Sequence, residues 1–140
     1  MSQENVDKAR DFIEAYNVRD FDRATAHFDR DIEWILPEDQ PFNSCQGIPC
    51  VIRFFKSLDD AFEDLQLKPQ EFVDGGEMVA TRLRHFGRGK GSGVEVDTEL
   101  VHQVATFRDG LIVRMEYVAS WPEAQERLTR GTRERSEAKA

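Results

Sequence analysis

Residues 94–119 constrain the fold of this chain most strongly, because they predict two long antiparallel strands joined by a tight turn. Asp109-Gly110 lies between two apolar runs and is a strong hairpin signal, but the loop length decides which side chains share a face. A two-residue loop would pair Arg108 with Leu111. A three-residue loop would pair Phe107 with Leu111 and set apolar side chains against apolar ones, so we predict the three-residue loop.

That register assigns the side chains of the hairpin to an inner and an outer face. The inner face carries Glu99, Val101, Gln103, Ala105 and Phe107 from one strand and Leu111, Val113, Met115, Tyr117 and Ala119 from the other. The outer face is half apolar, which is unusual for a sheet that faces water on that side. Its apolar members are Leu100, Val104, Ile112 and Val118. We therefore predict that a second copy of the chain covers the outer face in a homodimer.

The length and charge of the chain limit its class of function. With 140 residues it is expected to form one domain with its own core. A net charge of −8 argues against nucleic acid as a partner, because a nucleic-acid surface needs clustered basic residues. No apolar run reaches membrane-spanning length, and the first residues do not resemble a signal peptide. These features predict a cytoplasmic protein without a membrane partner.

Cys45 and Cys50 lie in a loop that leads into a predicted helix. No further Cys or His lies close by in the sequence, so we predict no metal site there. We interpret both residues as unpaired thiols without a function. The alternative is that Cys50 is a reactive thiolate, since the dipole at a helix N-terminus favours the charged form.

The rest of the chain alternates between helical and strand periodicity. Helices are predicted at residues 5–17, 21–28, 49–63 and 122–128, and strands at residues 32–36, 65–73 and 78–86. Residues 1–128 would form the domain, and residues 129–140 a charged tail that we expect to be disordered. The predicted fold class is α+β, with a strongly curved, mainly antiparallel sheet wrapped around three N-terminal helices. Such a fold is a cone that is open at one end.

Short motifs along the chain resemble those of one superfamily. They are Phe12-Ile13-Glu14-Ala15-Tyr16-Asn17-x-x-Asp20, Phe28-x-x-Asp31-x-x-Trp34-x-x-Pro37, the glycine-rich residues 87–94, and Thr106-Phe107-Arg108-Asp109-Gly110. In this order the chain resembles the nuclear transport factor 2-like superfamily, in its SnoaL-like and ketosteroid isomerase-like branch. The likeness covers residues 4–128 and implies a cystatin-like cone. It implies no single reaction, because this fold hosts isomerases, cyclases, hydrolases and non-catalytic binding domains.

The resemblance also assigns the ketosteroid isomerase site to positions of this chain. The family's oxyanion tyrosine falls on Phe12, its general-base aspartate on Leu36 and its protonated aspartic acid on Gln103. Other SnoaL-like chains often carry a histidine at the position of Gln103 and an aspartate near Ser120, and this chain has neither. The acid and base groups of these relatives are therefore replaced. Gln103 alone could still act, as a neutral hydrogen-bond donor to a carbonyl.

Residues predicted to face the inside of the cone form the candidate site. The predicted substrate-binding residues are Phe12, Tyr16, Trp34, Leu36, Phe55, Thr81, Gln103, Met115 and Tyr117. A mostly apolar cavity with a few convergent polar groups is typical of a small-molecule site. The predicted catalytic residues are His85, Glu99 and Gln103. Of these, His85 and Glu99 could carry protons at neutral pH. Two alternatives stay open: His85 and Glu99 are half-exposed rim residues, and Gln103 and Tyr16 satisfy each other as a core pair.

From these features we predict a protein that binds a small, largely apolar, oxygen-bearing molecule of polyketide-, steroid- or terpenoid-like type. No metal or organic cofactor is expected. Two functions remain open at this point. The polar residues retained in an apolar cone favour an isomerase, cyclase or hydrolase. The missing acid and base groups favour a non-catalytic ligand-binding or dimerisation module.

Overall fold

Four helices and seven strands make up the computed structural model of the protein, which describes residues 2–38, 43–98 and 101–139. Within these ranges, side chains are described from residue 3 to residue 131. The elements in chain order are α1 (Ser2–Asn17), α2 (Phe21–Thr25), β1 (Phe28–Ile35), β2 (Cys45–Gln46), α3 (Ile48–Ala61), β3 (Phe62–Asp74), β4 (Met78–Gly89), β5 (Glu95–Thr98), β6 (His102–Arg108), β7 (Leu111–Val118) and α4 (Trp121–Lys139). The predicted α+β class is confirmed.

Local sequence signals explain where the helices begin and end. The Asp20 carboxylate accepts a hydrogen bond from the Arg23 backbone N–H at 3.1 Å and so caps α2. α2 ends at Thr25, earlier than predicted, because β1 already begins at Phe28. Pro49 lies in the first turn of α3, where its missing N–H costs no helical bond. The two long helices of the N-terminal half, α1 and α3, both pack against the sheet through β3.

The described strands form one sheet in the order β2-β1-β7-β6-β4-β3, with β5 paired to β4 beside this path. β1 and β7 run parallel, and the other neighbours are antiparallel. The pairing of β3 with β4 shifts between Glu63 and Gln66 and again between Pro69 and Glu71. Such bulges bend a sheet, so this long pair curves around the helices as the sequence predicts. The strand predicted over residues 94–107 is two strands, β5 and β6, and both pair with β4.

The turn of the β6–β7 hairpin contradicts the predicted register. Arg108 pairs with Leu111, so the loop has two residues, Asp109 and Gly110, with φ angles of 52° and 80°. Positive φ at both positions is typical of a type I′ turn, whose twist matches that of the flanking strands. The predicted three-residue loop is therefore wrong.

A β-bulge next to this turn supplies the apolar face that the three-residue loop was expected to give. Phe107 pairs with Ile112, but Thr106 pairs with Arg114, which leaves Val113 as the extra residue. The bulge brings Ile112 into the core, where its side chain is fully buried next to Phe107. The two-residue turn and the bulge together keep apolar side chains on the inner face.

The corrected register changes the partners of the predicted site residues. Gln103 lies opposite Tyr117 and not opposite Met115. Met115 pairs instead with Ala105, and both face inward as predicted. Leu111, which was predicted on the inner face, is exposed.

The outer face of the sheet is covered by α4 of the same chain. Ala124 and Leu128 of the helix pack against Ala80, Val104 and Val118 of the sheet. The helix therefore buries within one copy two of the apolar side chains that the sequence assigns to a dimer interface, Val104 and Val118.

The homodimer stays a prediction, because the structure contains one copy of the chain. The described residues that suggested it are Val104, Ile112 and Val118, and all are buried without a second copy. The remaining one, Leu100, lies outside the described residues.

α4 continues to Lys139, so the backbone of residues 129–139 is helical where the sequence predicts disorder. Arg and Glu residues dominate this stretch, and both are good helix formers even where no core is available. The domain boundary at residue 128 stays a prediction. Neither α4 nor any other described helix is both long and apolar enough to cross a membrane.

Cys45 and Cys50 form a disulfide, so the prediction of two unpaired thiols is wrong. Gly47, with a φ of 93°, turns the chain sharply between β2 and α3. The first turn of α3 thereby returns to β2, and the two Cα atoms lie 6.2 Å apart, within the usual range for a disulfide. Cys50 is buried in the core and Cys45 is half-buried beside it.

Candidate functional site

A cluster of aromatic rings fills the inside of the curved sheet, with Phe55 of α3 at its centre. The ring of Phe55 lies between 5.2 and 6.2 Å, centroid to centroid, from the rings of Phe12, Tyr16, Phe21, Trp34 and Phe54. Each side chain comes from an element that the sheet wraps around or from the sheet itself. The aromatic pairs stabilise this cluster beyond the area that they bury.

Helical and strand periodicity explain why these rings converge. Phe12 and Tyr16 are four residues apart on α1, so they share one face of the helix. Trp34 lies on β1 opposite Met115 of the parallel neighbour β7, and its ring contacts the Tyr117 ring at 5.5 Å. Two strands and two helices thus bring aromatic rings together in one cluster, which we call the interior site.

Polar atoms of the interior site are only partly satisfied. The Gln103 side-chain amide donates a hydrogen bond to the Tyr117 hydroxyl at 2.7 Å. The alternative pairing of Gln103 with Tyr16 is therefore not formed. The Tyr16 hydroxyl and the Trp34 indole N–H are buried and have no hydrogen-bond partner among the described residues. A buried polar atom without a partner costs about 1–3 kcal/mol of stability. Both groups can therefore donate a hydrogen bond to a bound molecule.

Both tyrosines of the interior site stay protonated at neutral pH. Burial raises the pKa of Tyr16 to about 12, although the Arg19 guanidinium, 4.6 Å from the centre of the ring, opposes this. Burial also raises the pKa of Tyr117. Because Tyr117 accepts the bond from Gln103, its own hydroxyl proton can be given to a further group. The interior site therefore offers neutral donors.

All predicted substrate-binding residues are buried in the structure. They are Phe12, Tyr16, Trp34, Leu36, Phe55, Thr81, Gln103, Met115 and Tyr117. Thr81 of β4 lies opposite Gln103 of β6, which places it next to the donors. Burial shows where these residues lie, and their role in binding stays a prediction.

The two described residues of the predicted catalytic set, His85 and Gln103, are not brought together. His85 lies on β4, four residues beyond Thr81, which is about 13 Å along a strand. It pairs with Thr98 of the short strand β5 and is half-buried at that end of the sheet. Gln103 faces Thr81 instead, and Glu99 lies outside the described residues. The structure therefore gives no acid–base pair next to Gln103 within the described residues.

We expect His85 to lower the stability of the folded protein as the pH falls below about 6.5. Desolvation by burial holds the pKa of its imidazole below the usual 6.5, although a hydrogen bond with the Thr98 backbone opposes this. Between the two pKa values the unfolded chain binds the proton first, so unfolding is favoured as the pH falls. Urea unfolding at pH 7.5 and 5.5 measures the loss in free energy of unfolding between the two pH values. The His85→Gln variant should show a smaller loss. An equal loss in the variant would contradict this.

The carboxylate of Asp11 acts in a separate pH range. Its pKa is held below the usual 3.8, first by the hydrogen bond from Arg23 and then by that from His27. The stability that it contributes is complete above pH 3.8 and is lost as the pH falls through its lower value in the folded protein. The effect of Asp11 therefore does not obscure that of His85.

Two surface clefts lie away from the interior site. One, of about 550 Å³, is lined by residues of β3, β4 and β5 and contains the ion pair of Arg88 with Glu95. The other, of about 470 Å³, lies below the end of α1 and contains the ion pair of Arg19 with Asp59. Each cleft is lined by more acidic than basic side chains, and water screens the exposed ion pairs. Within the described residues, no group of three or more His, Cys, Asp or Glu side chains is placed to hold a metal ion.

A curved, open sheet packed against helices is the fold of the nuclear transport factor 2-like domains, as the sequence predicts. Within that class the chain belongs to the SnoaL-like domain family, which matches residues 9–115. No curated protein sequence matches the chain.

Solved structures show the same fold at low sequence identity. A nuclear transport factor 2-like protein from Burkholderia pseudomallei K96243 is 22% identical, with a TM-score of 0.76 over 86% of this chain and 93% of that one. TerC, co-crystallised with polyporic acid, is 19% identical, with a TM-score of 0.75 over 90% and 98%. A candidate SnoaL-like polyketide cyclase from Jannaschia sp. CCS1 is 20% identical, with a TM-score of 0.72 over 89% and 90%.

Sequence reasoning missed two features of the interior site. Trp34 was treated only as an apolar wall, although its buried N–H has no partner among the described residues. Phe54 was not included, although its ring contacts those of Trp34 and Tyr117 at 5.7 and 6.3 Å. Phe54 lies four residues after Cys50 on α3, so the helical period could have indicated that the two side chains share one face of the helix.

Proposed function

We propose that the protein binds a small, neutral, largely apolar molecule in the interior site, through oxygen atoms that accept hydrogen bonds. The observation that carries this proposal is the pair of buried, unpartnered donors, the Tyr16 hydroxyl and the Trp34 indole N–H. An apolar core gains nothing from such atoms. A bound acceptor would recover the free energy that their burial costs.

The chemistry of these groups restricts the ligand further. An indole N–H can donate but cannot accept, so the atom facing Trp34 must be an acceptor. Tyr16 and Tyr117 remain protonated because burial raises their pKa, so they also donate. A carbonyl oxygen meets these requirements, and aromatic rings on either side of it would pack against Phe12 and Phe55.

Binding, and not turnover, is the function that we propose. Among the described residues, the buried polar and charged side chains are Thr25, Thr81, His102 and Gln103, and none of them is a carboxylate. The imidazole of His102 contacts the Trp121 ring of α4, and His85 lies about 13 Å along β4 from the level of Gln103. The related structures support a small-molecule site in this fold: one was crystallised with polyporic acid and another is a candidate polyketide cyclase. They support the class of ligand and not its identity.

Ligands that differ only at one position test the proposal. 9-Fluorenone and fluorene share a ring system, but only the ketone carries an acceptor oxygen. Leaving one or both donors unpaired costs about 1–3 kcal/mol, so we expect fluorenone to bind about tenfold tighter or more, by isothermal titration. Fluorene-9-carboxylate should bind more weakly than fluorenone, because a buried charge needs a charged or multiply hydrogen-bonding partner.

Substitutions that remove one donor each provide the matching controls in the protein. Tyr16→Phe and Trp34→Phe should each reduce the preference for fluorenone over fluorene. Ser57→Ala also removes a hydroxyl, but from the exposed side of α3, and should leave the preference unchanged. Equal affinity for ketone and hydrocarbon, or a preference that survives in the Tyr16→Phe, Trp34→Phe double variant, would contradict the proposal.

A dimerisation module and the homodimer itself remain the alternative prediction. Light scattering at micromolar concentration tests the dimer, for which twice the monomer mass is expected. Because α4 already covers Val104 and Val118, no described apolar surface favours this alternative over ligand binding.

A further inference from the structure

We propose that the Cys45–Cys50 disulfide is a redox-controlled latch on the interior site: a dithiol reductant opens it, and the opened site binds its ligand more weakly. This inference rests on the proposed function, because it concerns how the same site is regulated. Its structural basis is that the disulfide joins two of the elements that pack beside Trp34, namely β2 and α3.

The disulfide lies directly beside the donor of the interior site. Cys45 of β2 is the strand partner of Trp34 on β1. Cys50 lies in the first turn of α3, and Phe54, one turn further along the same face, contacts the Trp34 ring at 5.7 Å. The covalent bond therefore fixes the strand on one side of Trp34 and the helix on the other.

The bonds that would remain after reduction are few. β2 has two residues and pairs only with β1, at Gln46 opposite Glu33 and Cys45 opposite Trp34. Three further links are hydrogen bonds: the Gly47 N–H donates to the Ile32 carbonyl at 2.8 Å, the Gln46 side-chain amide donates to the Asp31 carbonyl at 3.4 Å, and the Ser44 hydroxyl accepts from the Leu36 N–H at 2.8 Å. A two-residue edge strand contributes little by itself, so opening the disulfide frees β2 and the first turn of α3 to move.

The position of the two sulfurs favours attack at one of them. Cys45 is half-buried, whereas Cys50 is buried, so a thiolate of the reductant reaches the Cys45 Sγ first. The new bond to Cys45 forms as the Cys45–Cys50 bond breaks, and Cys50 leaves as a thiolate. The N-terminal turn of α3 stabilises that negative charge, and a stabilised thiolate is the better leaving group.

The second thiol of the reductant completes the exchange. It attacks the reductant's sulfur in the mixed disulfide, releases Cys45 and leaves the reductant as a cyclic disulfide. Two electrons pass from the dithiol to the protein, and the two thiol protons end on Cys45 and Cys50. Oxidation of the paired cysteines reverses the change and closes the latch.

The compartment of the protein decides which state prevails. Disulfides persist in oxidising compartments, whereas cytosolic thiols are kept reduced. The cytoplasmic location predicted from the sequence would therefore hold the latch open, and exposure to oxidant would close it. The interior site would then bind its ligand most tightly under oxidising conditions.

The test compares fluorenone binding in the oxidised protein and after treatment with dithiothreitol. We expect the dissociation constant to rise about tenfold on reduction, because ordering a loosened wall lowers affinity, and to recover on reoxidation. The Cys45→Ser, Cys50→Ser double variant should bind like the reduced protein and not respond to dithiothreitol. Equal affinity in both states overturns the latch while leaving the proposed function intact.

Amide hydrogen exchange provides a readout that needs no ligand. Reduction should speed exchange at the Gly47 amide and in the first turn of α3, and leave the β6–β7 amides at Val104 and Met115 unchanged. If fluorenone binds neither state, the proposed function fails, and local exchange still decides whether the disulfide controls this wall. Unchanged exchange at Gly47, or equal acceleration at Val104 and Met115, overturns the latch. Should the double variant not fold, the reduced wild-type protein supplies both measurements.

Discussion

Incubation of the protein with a β,γ-unsaturated 3-ketosteroid should give no conjugated enone above the buffer rate. The isomerisation needs a carboxylate that moves a proton between two carbons, and donors that hold the dienolate oxygen. The resemblance places Leu36, Phe12 and Gln103 at these positions. Leucine cannot accept a proton and phenylalanine cannot donate one. In the structure, Gln103 is also already engaged with the Tyr117 hydroxyl.

The isomerisation rate is expected to be far below that of a site that has the base and the oxyanion donors. Removal of a positioned base costs about 10²–10⁴-fold in rate, and removal of each oxyanion donor costs about 10²–10³-fold. Even if these effects do not add fully, the remaining rate is that of the solvent reaction. The absorbance of the conjugated enone measures this, with a steroid isomerase as the positive control. Turnover above buffer that His85→Ala or Glu99→Gln abolishes would contradict the prediction and move the active site toward His85.

Phe55→Ala should lower the free energy of unfolding by about 3–5 kcal/mol, the usual cost of deleting a large buried aromatic side chain. Phe55 is 1% exposed and its ring contacts five other rings. Its removal leaves a cavity between α1, β1 and α3 that these elements, tied together by the sheet, cannot close. The midpoint of urea unfolding measures the change.

The matched control is Phe86→Ala, which makes the same chemical change outside the core. Phe86 is half-buried on β4, where the Lys68 ammonium lies 4.5 Å from the centre of its ring. We expect a loss of about 1 kcal/mol there, the typical effect of a single substitution. Similar losses for both variants would show that Phe55 is not at the centre of the packing.

The inner face of the sheet could be predicted from the sequence, because burial follows the strand period. Val79 and Leu83 lie on the predicted face of β4 and are fully buried. The loop between β6 and β7 could not, because only the three-residue loop sets apolar side chains against apolar ones in a regular ladder, whereas the two-residue loop does so through a bulge at Val113. A bulge adds one residue and so reverses the alternation beyond it, but Ile112 and Val113 are both apolar, and the sequence does not show where the reversal falls.

Features that depend on distant segments also escaped prediction. The half-apolar outer face was visible in the sequence, but the helix that covers it, with Ala124 and Leu128, has few apolar residues of its own. The pairing of Cys45 with Cys50 depends on the turn at Gly47 and on the edge position of β2. Tyr16 and Gln103 could be named as donors of the interior site, whereas the Trp34 N–H was missed, and the pairing of Gln103 with Tyr117 depends on the hairpin register.

The parallel pairing of β1 with β7 determines when the interior site forms during folding. Most neighbouring strands form hairpins or lie close together in the sequence. Trp34 and Met115, by contrast, are paired although most of the chain lies between them. Such distant contacts close late, because the entropy of the long intervening loop must be lost first. A chain with its β3–β4 and β6–β7 hairpins already formed still lacks the indole donor and the walls beside it. Ligand recognition is thus a property of the completed fold alone, and folding intermediates cannot be captured by the ligand.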